Sequence, residues 1–249
     1  MSSDPSTQPP APRSAGPPSR RRLPSAEAVR AWGRWIQALL ILSAAALAFA
    51  ADYVIYDLHV RDELKKGGLP AGNKLAWIHP RLTGLATVTV PILAWAAALW
   101  LIWQYMAHRW LRARHSKGLR FRPAAAVVSW AVPLANLALP ALAVDELLRA
   151  SAPESDRTGR VFTKGTILVS VWWLLWLSTG TLAILGMSNA SGLRTLDDFI
   201  LRDRYFLAAA LIGIGAAGMG FWIIHEVGER QAEAENRDPS LSWTDWPGR

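Results

Sequence analysis

Apolar residues in this chain are grouped in blocks of about twenty, and most charged residues lie between the blocks. The four most apolar blocks lie at about 35–56, 85–106, 166–187 and 205–225. A block of this length can cross the hydrocarbon core of a bilayer as a helix, and lipid offers no partners for a backbone in any open conformation. The pattern predicts an all-α integral membrane protein built on a bundle of four transmembrane helices.

A fifth apolar segment, at residues 124–144, has 21 residues without a charge but also contains two prolines and an asparagine. Pro133 and Pro140 lack a backbone N–H, so the segment is expected to break as a helix. It is long enough to cross the membrane as a fifth span. Alternatively, it enters and returns on one side as a re-entrant segment. Both alternatives are compatible with the four other spans.

Polar segments flank the predicted transmembrane domain of residues 31–228. Residues 1–30 are rich in proline, serine and arginine, and they contain too few apolar residues to bury a core. They predict a disordered tail. Residues 229–249 form a second polar tail at the C-terminus.

The distribution of lysine and arginine predicts the orientation, because cytoplasmic loops carry an excess of both residues. With five crossings and the N-terminus inside, about 14 basic residues lie inside and about 11 outside. With a re-entrant fifth segment the counts become about 17 and about 8. Either arrangement predicts a plasma-membrane protein with a cytoplasmic N-terminus, and the re-entrant form places the C-terminus on the same side.

The loop before the broken segment is strongly basic, with Arg109, Arg112, Arg114, Lys117, Arg120 and Arg122 and no acid. The net charge of the whole chain is +8. Because the arginines lie in short loops beside apolar blocks, we expect them to meet anionic lipid headgroups of the bilayer. Nucleic acid is not an expected partner.

The last apolar block is rich in glycine and alanine. Gly213, Gly215 and Gly218 formally match the dinucleotide-binding pattern G-x-G-x-x-G, but that motif requires a strand before it, whereas here it lies inside an apolar block. Ala209, Gly213 and Ala217 are four residues apart and predict close packing with another helix. A membrane protein partner or a second copy of the chain is an expected neighbour through this helix.

No motif in the sequence predicts catalysis, a cofactor or a metal. The chain has no cysteine, and H-E-x-x-H, G-x-S-x-G and Walker patterns are all missing from it. We therefore expect a membrane-embedded binding or assembly protein that is not an enzyme. The alternative is a small-solute transporter or channel with a site around Asn136. Transporters often contain paired broken segments in two repeated halves, and this sequence contains one clear broken segment.

The broken segment and the fourth block contain the candidate functional residues. The helical turn places Trp172 and Trp176 on one face and turns Trp173 by about 100°. Their indole N–H groups need acceptors, and the two prolines leave the carbonyls of Ser129 and Asn136 open. We expect at least one of these tryptophans to donate to the break. The candidate cluster consists of Trp130, Pro133, Asn136, Pro140, Glu146, Trp172, Trp173 and Trp176.

A family resemblance covers roughly residues 95–180. The basic loop is followed in order by Phe121-x-Pro123, Trp130, Pro133-x-Ala135-Asn136, Pro140, Glu146-Leu147 and Trp172-Trp173-x-x-Trp176. This order and spacing resemble the bacterial membrane family called domain of unknown function 4328. Ala124 and Ala125 stand where many members have a glycine-tryptophan pair. The resemblance implies an actinobacterial multi-pass membrane protein, and it implies no activity.

The first apolar block is expected to remain attached to the protein. Ala48-Phe49-Ala50 imitates a signal-peptide cleavage site, but the region before the apolar core is long, and aromatic residues continue after it at Tyr53 and Tyr56. Mass spectrometry of the purified protein should detect peptides from the region of Arg30. A mature N-terminus at Ala51 would contradict this prediction.

Overall fold

The computed structural model describes residues 24–67, 74–114, 118–152, 164–190 and 195–237. For residues 74–86 and 189–190 it describes the helical backbone alone. Residues 1–23 and 238–249, which include most of both predicted tails, lie outside the described residues.

The described chain is entirely helical in its regular structure. Its elements are α1 (Ala26–Lys65), α2 (Lys74–Arg114), α3 (Pro123–Val128), a short 3-10 helix (Ala135–Leu137), α4 (Leu139–Ala150), α5 (Lys164–Ala190) and α6 (Leu196–Arg237). Among the described residues, four helices are long and apolar enough to cross a membrane, namely α1, α2, α5 and α6. The predicted all-α, multi-pass architecture is confirmed.

The long helices continue beyond the apolar blocks that predicted them. Helix α1 begins at Ala26, inside the segment predicted as a tail, and the Ser25 hydroxyl caps it by accepting from the Ala28 N–H at 3.1 Å. Helix α6 continues to Arg237. Charged pairs one turn apart on the helix, such as Asp62 with Lys66, favour the helical form of these ends in water. Helix ends are therefore set by local pairing as well as by the bilayer.

Helices α1 and α6 are antiparallel and joined along their length. At the end of the bundle that contains Ala26, here the Ala26 end, the Ala26 N–H donates to Glu235 Oε2 at 2.7 Å. In the middle, Gln37 Nε2 donates to the Phe221 carbonyl at 3.2 Å. At the opposite end, here the Lys65 end, Lys65 and Asp197 form an ion pair at 2.6 Å.

Helix α6 is in close contact with both α1 and α5 through its small residues. A Cβ atom at Gly213 would lie 3.0 Å from Leu47 Cδ1 of α1 and 3.3 Å from Thr179 Cγ2 of α5. The close approach predicted for this face is thus made within the chain. An intermolecular contact through α6 remains a prediction, and Gly215 and Gly218 lie on the exposed side of the helix that such a contact would use.

The broken segment begins and ends at the Ala26 end, so it folds back as a hairpin (residues 119–152). Glu146, near the end of α4, accepts from the backbone N–H groups of Arg120 and Phe121 at 2.6 and 3.1 Å. Arg112, in the last turn of α2, donates to the Phe121 carbonyl at 3.3 Å. Because the two arms meet at this neck, the segment returns to the Ala26 end of the bundle and does not extend across to the Lys65 end, as expected for the re-entrant alternative.

The prolines and the pattern of apolar residues explain why the segment turns back. Pro123 starts α3, which ends after six residues at Val128, and Pro140 lies in the first turn of α4. Between the two helices the backbone is irregular, with φ of −136° at Ala138. Helix α4 is amphipathic and buries Ala143, Val144, Leu147 and Leu148 against the bundle.

The hairpin form predicts that Arg149 lies on the same side of the membrane as both ends of the described chain. Single cysteines at Glu27, Arg149 and Glu233 should react with an impermeant thiol reagent from one side, and a cysteine at Lys66 should react from the other. All four positions have exposed side chains, and the native chain has no cysteine. If the N-terminus is cytoplasmic, intact cells should label Lys66→Cys alone, and permeabilised cells should label all four. Labelling of Arg149→Cys together with Lys66→Cys in intact cells would contradict the hairpin.

Candidate functional site

One face of α2 supplies the base of the candidate site. Trp100, Trp103, Gln104 and His108 are three or four residues apart, so the helix aligns them on one side. All four side chains are buried between α2 and the neighbouring elements, and Trp103, Gln104 and His108 are fully enclosed. A buried amide and a buried imidazole in a membrane-spanning helix need polar partners, because an unsatisfied polar group is costly in an apolar medium.

Five tryptophans meet at this face, and we refer to them as the tryptophan cluster: Trp100, Trp103, Trp130, Trp172 and Trp173. Trp100 of α2 stacks on Trp172 of α5 with ring centroids 5.1 Å apart. Trp130 of the hairpin meets Trp173 of α5 edge to face at 5.5 Å. Each such pair adds about 0.5–1.5 kcal/mol beyond the burial of its surface. The cluster therefore joins α2, α5 and the hairpin into one packed unit.

Two indole hydrogen bonds fasten the hairpin to the bundle. Trp130 Nε1 donates to Gln104 Oε1 at 2.8 Å. Trp173 Nε1 donates to the Leu137 carbonyl at 2.9 Å. Each bond pairs an indole N–H with an oxygen, and lipid could satisfy neither group. The acceptors are the side-chain amide oxygen of Gln104 and the backbone carbonyl of Leu137. Hydrogen bonds of this kind in membrane proteins average about 0.6 kcal/mol and reach about 1.7 kcal/mol.

Several donors at the cluster have no hydrogen-bond acceptor among the described residues. They are Trp100 Nε1, Trp103 Nε1 and Gln104 Nε2. His108 Nδ1 donates to the Gln104 carbonyl at 3.0 Å, so Nε2 of the neutral ring is an acceptor. The cluster can thus offer N–H groups to an acceptor such as water or a carbonyl oxygen. The described residues contain no group of three His, Cys, Asp or Glu side chains that could hold a metal ion.

The structure brings three of the eight predicted residues together in the cluster, namely Trp130, Trp172 and Trp173. Glu146 lies apart from them at the neck of the hairpin, where it accepts backbone N–H groups. Pro140 is buried in α4, and Pro133 is exposed. Trp176 is 40% exposed on the outer side of α5.

The expected bond between a tryptophan and the break is present, with a different acceptor from those predicted. Trp173 donates to the Leu137 carbonyl, whereas the sequence pointed to Ser129 and Asn136. Leu137 ends the 3-10 helix, and the non-helical Ala138 that follows leaves its carbonyl accessible to the ring. Asn136 is half-buried, and its Oδ1 has no hydrogen-bond partner among the described residues.

Sequence reasoning missed the contribution of α2. Trp100 and Trp103 look like residues of an aromatic belt near a membrane interface, because such belts are also rich in tryptophan. Gln104 was the available signal, since a polar side chain inside an apolar span demands a partner. Its partner, Trp130, is 26 residues away and could be assigned only from the fold.

A model of a protein family, described as Domain of unknown function (DUF4328), matches residues 74–229, more than half of the chain. The chain belongs to the DUF4328 family. No curated protein and no solved structure matches it. The DUF4328 match begins with α2 and ends within α6, so it contains the hairpin and the whole tryptophan cluster. Helix α1 lies outside the matched residues, and the resemblance seen in the sequence is confirmed at the level of the family.

Replacing Trp173 with phenylalanine should destabilise this DUF4328 protein in detergent. The change keeps an aromatic ring against Trp130 but leaves the Leu137 carbonyl without its donor, so the expected loss is about 1 kcal/mol. Trp176→Phe is the matched control on the same helix, and its exposed ring should change stability by less than about 0.5 kcal/mol. Thermal unfolding of both variants measures the difference. Equal melting temperatures for the two variants would show that the Leu137 bond contributes nothing.

Proposed function

We propose that this DUF4328 protein is a membrane-embedded binding or assembly protein of the plasma membrane and not an enzyme. The observation that supports this most is the hairpin, which is bonded to the bundle on one side and exposes apolar side chains on the other. Its neck is held by Glu146 and Arg112, and its interior is held by Trp130 and Trp173. A rigid element that presents an apolar surface is suited to recognition.

The open side of the hairpin is strongly apolar. Leu134 at the tip is 84% exposed, and Val128 is 56% exposed. Val132, Leu137 and Leu142 extend the same surface. We propose that a second membrane protein packs an apolar helix face on this surface, with small and branched side chains at the contact.

The orientation and the lipid contacts of the proposal rest on the basic residues. Arg120 and Arg122 have exposed side chains at the neck, next to the apolar surface. We propose that the Ala26 end is cytoplasmic and that these arginines meet anionic headgroups of the inner leaflet. The neck would then lie at headgroup depth, with the apolar tip among the acyl chains.

Transport of a small solute is the second candidate function. Asn136 Oδ1 and Gln104 Nε2 favour it, because both are buried atoms without a hydrogen-bond partner in the described structure. Tightly packed tryptophans occupy the space between α2, α5 and the hairpin, where a transporter would need a solute path. The same packing is what a rigid recognition element requires, so it favours the binding or assembly function.

Site-specific photo-crosslinking in native membranes tests the assembly proposal. A photoreactive amino acid at Leu134 should capture one membrane protein, identified by mass spectrometry, in repeated preparations. The control position is Ile184 on α5, which is also exposed and apolar but lies eleven residues after Trp173, toward the Lys65 end, and it should not capture that protein. Capture from Leu134 should also weaken several-fold in the Trp173→Ala background, because the hairpin then loses its hydrogen bond and its ring contact with α5.

Three outcomes would count against assembly through the hairpin. Lipid adducts alone at Leu134 would show that the surface faces acyl chains. Capture of the same protein from both positions would show that the contact is unspecific. A product of twice the chain mass would identify a second copy as the neighbour instead of a different protein.

A further inference from the structure

A buried charged network joins α1 and α6 near the Lys65 end, far from the hairpin. Asp57 and Arg61 come from α1, and Arg202 and Asp203 come from α6. Asp57 is 0% exposed and Asp203 is 2% exposed. Phe199 packs under both guanidinium groups, with its ring centroid 4.8 Å from Arg61 Cζ and 5.3 Å from Arg202 Cζ. Charges this deeply buried require complete pairing.

The donors of the network are distributed unevenly over the four carboxylate oxygens. Arg61 donates to Asp57 Oδ2 through Nε at 3.0 Å and through Nη2 at 2.8 Å. The same Nε lies 3.1 Å from Asp203 Oδ2 but does not hydrogen-bond to it, so this oxygen is buried without a donor among the described residues. Arg202 Nε donates to Asp203 Oδ1 at 2.8 Å. Asp57 Oδ1 is buried and has no donor among the described residues.

Arg61 brings the two carboxyl groups together, because its Nε lies 3.0 Å from Asp57 Oδ2 and 3.1 Å from Asp203 Oδ2. Two ionised carboxylates this close repel strongly, and the repulsion grows in a medium of low dielectric constant. A single proton removes the repulsion and also supplies the missing donor, because a carboxylic acid has one O–H group and a carboxylate accepts.

We propose that Asp57 and Asp203 form a proton-binding site that holds one proton between their facing oxygens. The O–H group of one carboxyl donates to the other, and the negative charge left on the pair is met by Arg61 and Arg202. When the proton leaves to solvent, both acids become negative and the O–H···O bond is lost. The contact between α1 and α6 at this end is then weaker, so the bundle is sensitive to pH there.

Other charged side chains lie on the helices that pack near the pair. Lys65 of α1 and Asp197 of α6 neutralise each other in an exposed pair. His59 and Glu63 of α1 pair at 3.3 Å with exposed side chains. Helix α5 contacts α6 nearby at Gly186 and Phe206 and has no charged residue after Lys164. On α2, the side chains of Lys74, His79 and Arg81 lie outside the described residues.

Thermal stability of the full chain in detergent, measured from about pH 4 to about pH 8, tests the site. The folded wild-type protein holds a proton that the unfolded chain releases at lower pH. Stability from this proton is therefore complete at low pH and is lost as the pH rises. The melting temperature of the wild type should fall by roughly 3 °C per pH unit over the titration.

The variants separate a shared proton from a simple ion-pair network. In Asp57→Asn and Asp203→Asn, an amide N–H replaces the acid O–H, so the melting temperature should no longer fall with rising pH. Asp62→Asn is the matched control, because Asp62 is an exposed acid of α1 that pairs only with the nearby Lys66 among the described residues. It should keep the wild-type pH dependence. Infrared difference spectra should show a protonated carboxyl band in the wild type and in Asp62→Asn, and no such band in the other two variants.

Specific results would overturn the proposal. The wild-type pH dependence in both Asp57→Asn and Asp203→Asn would show that the pair holds no proton. If one variant fails to fold, the other variant and the infrared band of the wild type decide the question. Recovery of stability at high pH on adding sodium, but not choline, would assign the site to a metal cation instead of a proton.

Discussion

Lipid supplies no hydrogen bonds, and this constraint governs both the hairpin and the bundle that holds it. Once the prolines break the helix at residues 129–138, its freed carbonyls need donors from elsewhere in the chain. Trp173 donates to Leu137, and the same irregular stretch places Trp130 against Gln104. The indole ring suits this task, because it buries a large apolar surface and presents a single N–H group. Tryptophans therefore act here as apolar packing and as hydrogen-bond donors at once.

The two ends of the bundle are held together by different chemistry. At the Ala26 end, Glu235 accepts the first N–H of α1, and Glu146 closes the neck of the hairpin, so single carboxylates satisfy backbone donors. Near the Lys65 end, Arg61 pairs with both Asp57 and Asp203, and Arg202 pairs with Asp203. A carboxylate that accepts from backbone amides is stabilised as an anion, whereas two carboxyls in contact favour retaining a proton. The proposed recognition surface and the proposed proton site thus lie toward opposite ends of the same helices.

Helix α6 connects these two regions mechanically. Its glycines let α1 and α5 approach it closely, as the contacts of Gly213 with Leu47 and Thr179 show. At Gly220 an added Cβ atom would lie 3.2 Å from Trp172 Nε1, so the tryptophan cluster also rests directly on α6. The same helix therefore contacts the tryptophan cluster at Gly220 and supplies Asp203 to the charged network.

The sequence by itself determined the all-α class of the protein, the presence of four helices long and apolar enough to span a membrane, and the existence of a break. Apolar length and proline positions are local properties, and the bilayer acts on each segment separately. The contact of a fourth-block tryptophan with the break was also predictable, because an indole N–H and an open carbonyl both need partners at the same depth. Only the tertiary structure decided that the broken segment returns to the Ala26 end, that Leu137 accepts from Trp173, and that Gln104 accepts from Trp130. These outcomes depend on which distant side chains meet. Packing that no local pattern encodes brings Glu146 to Arg120 and Arg61 to Asp203.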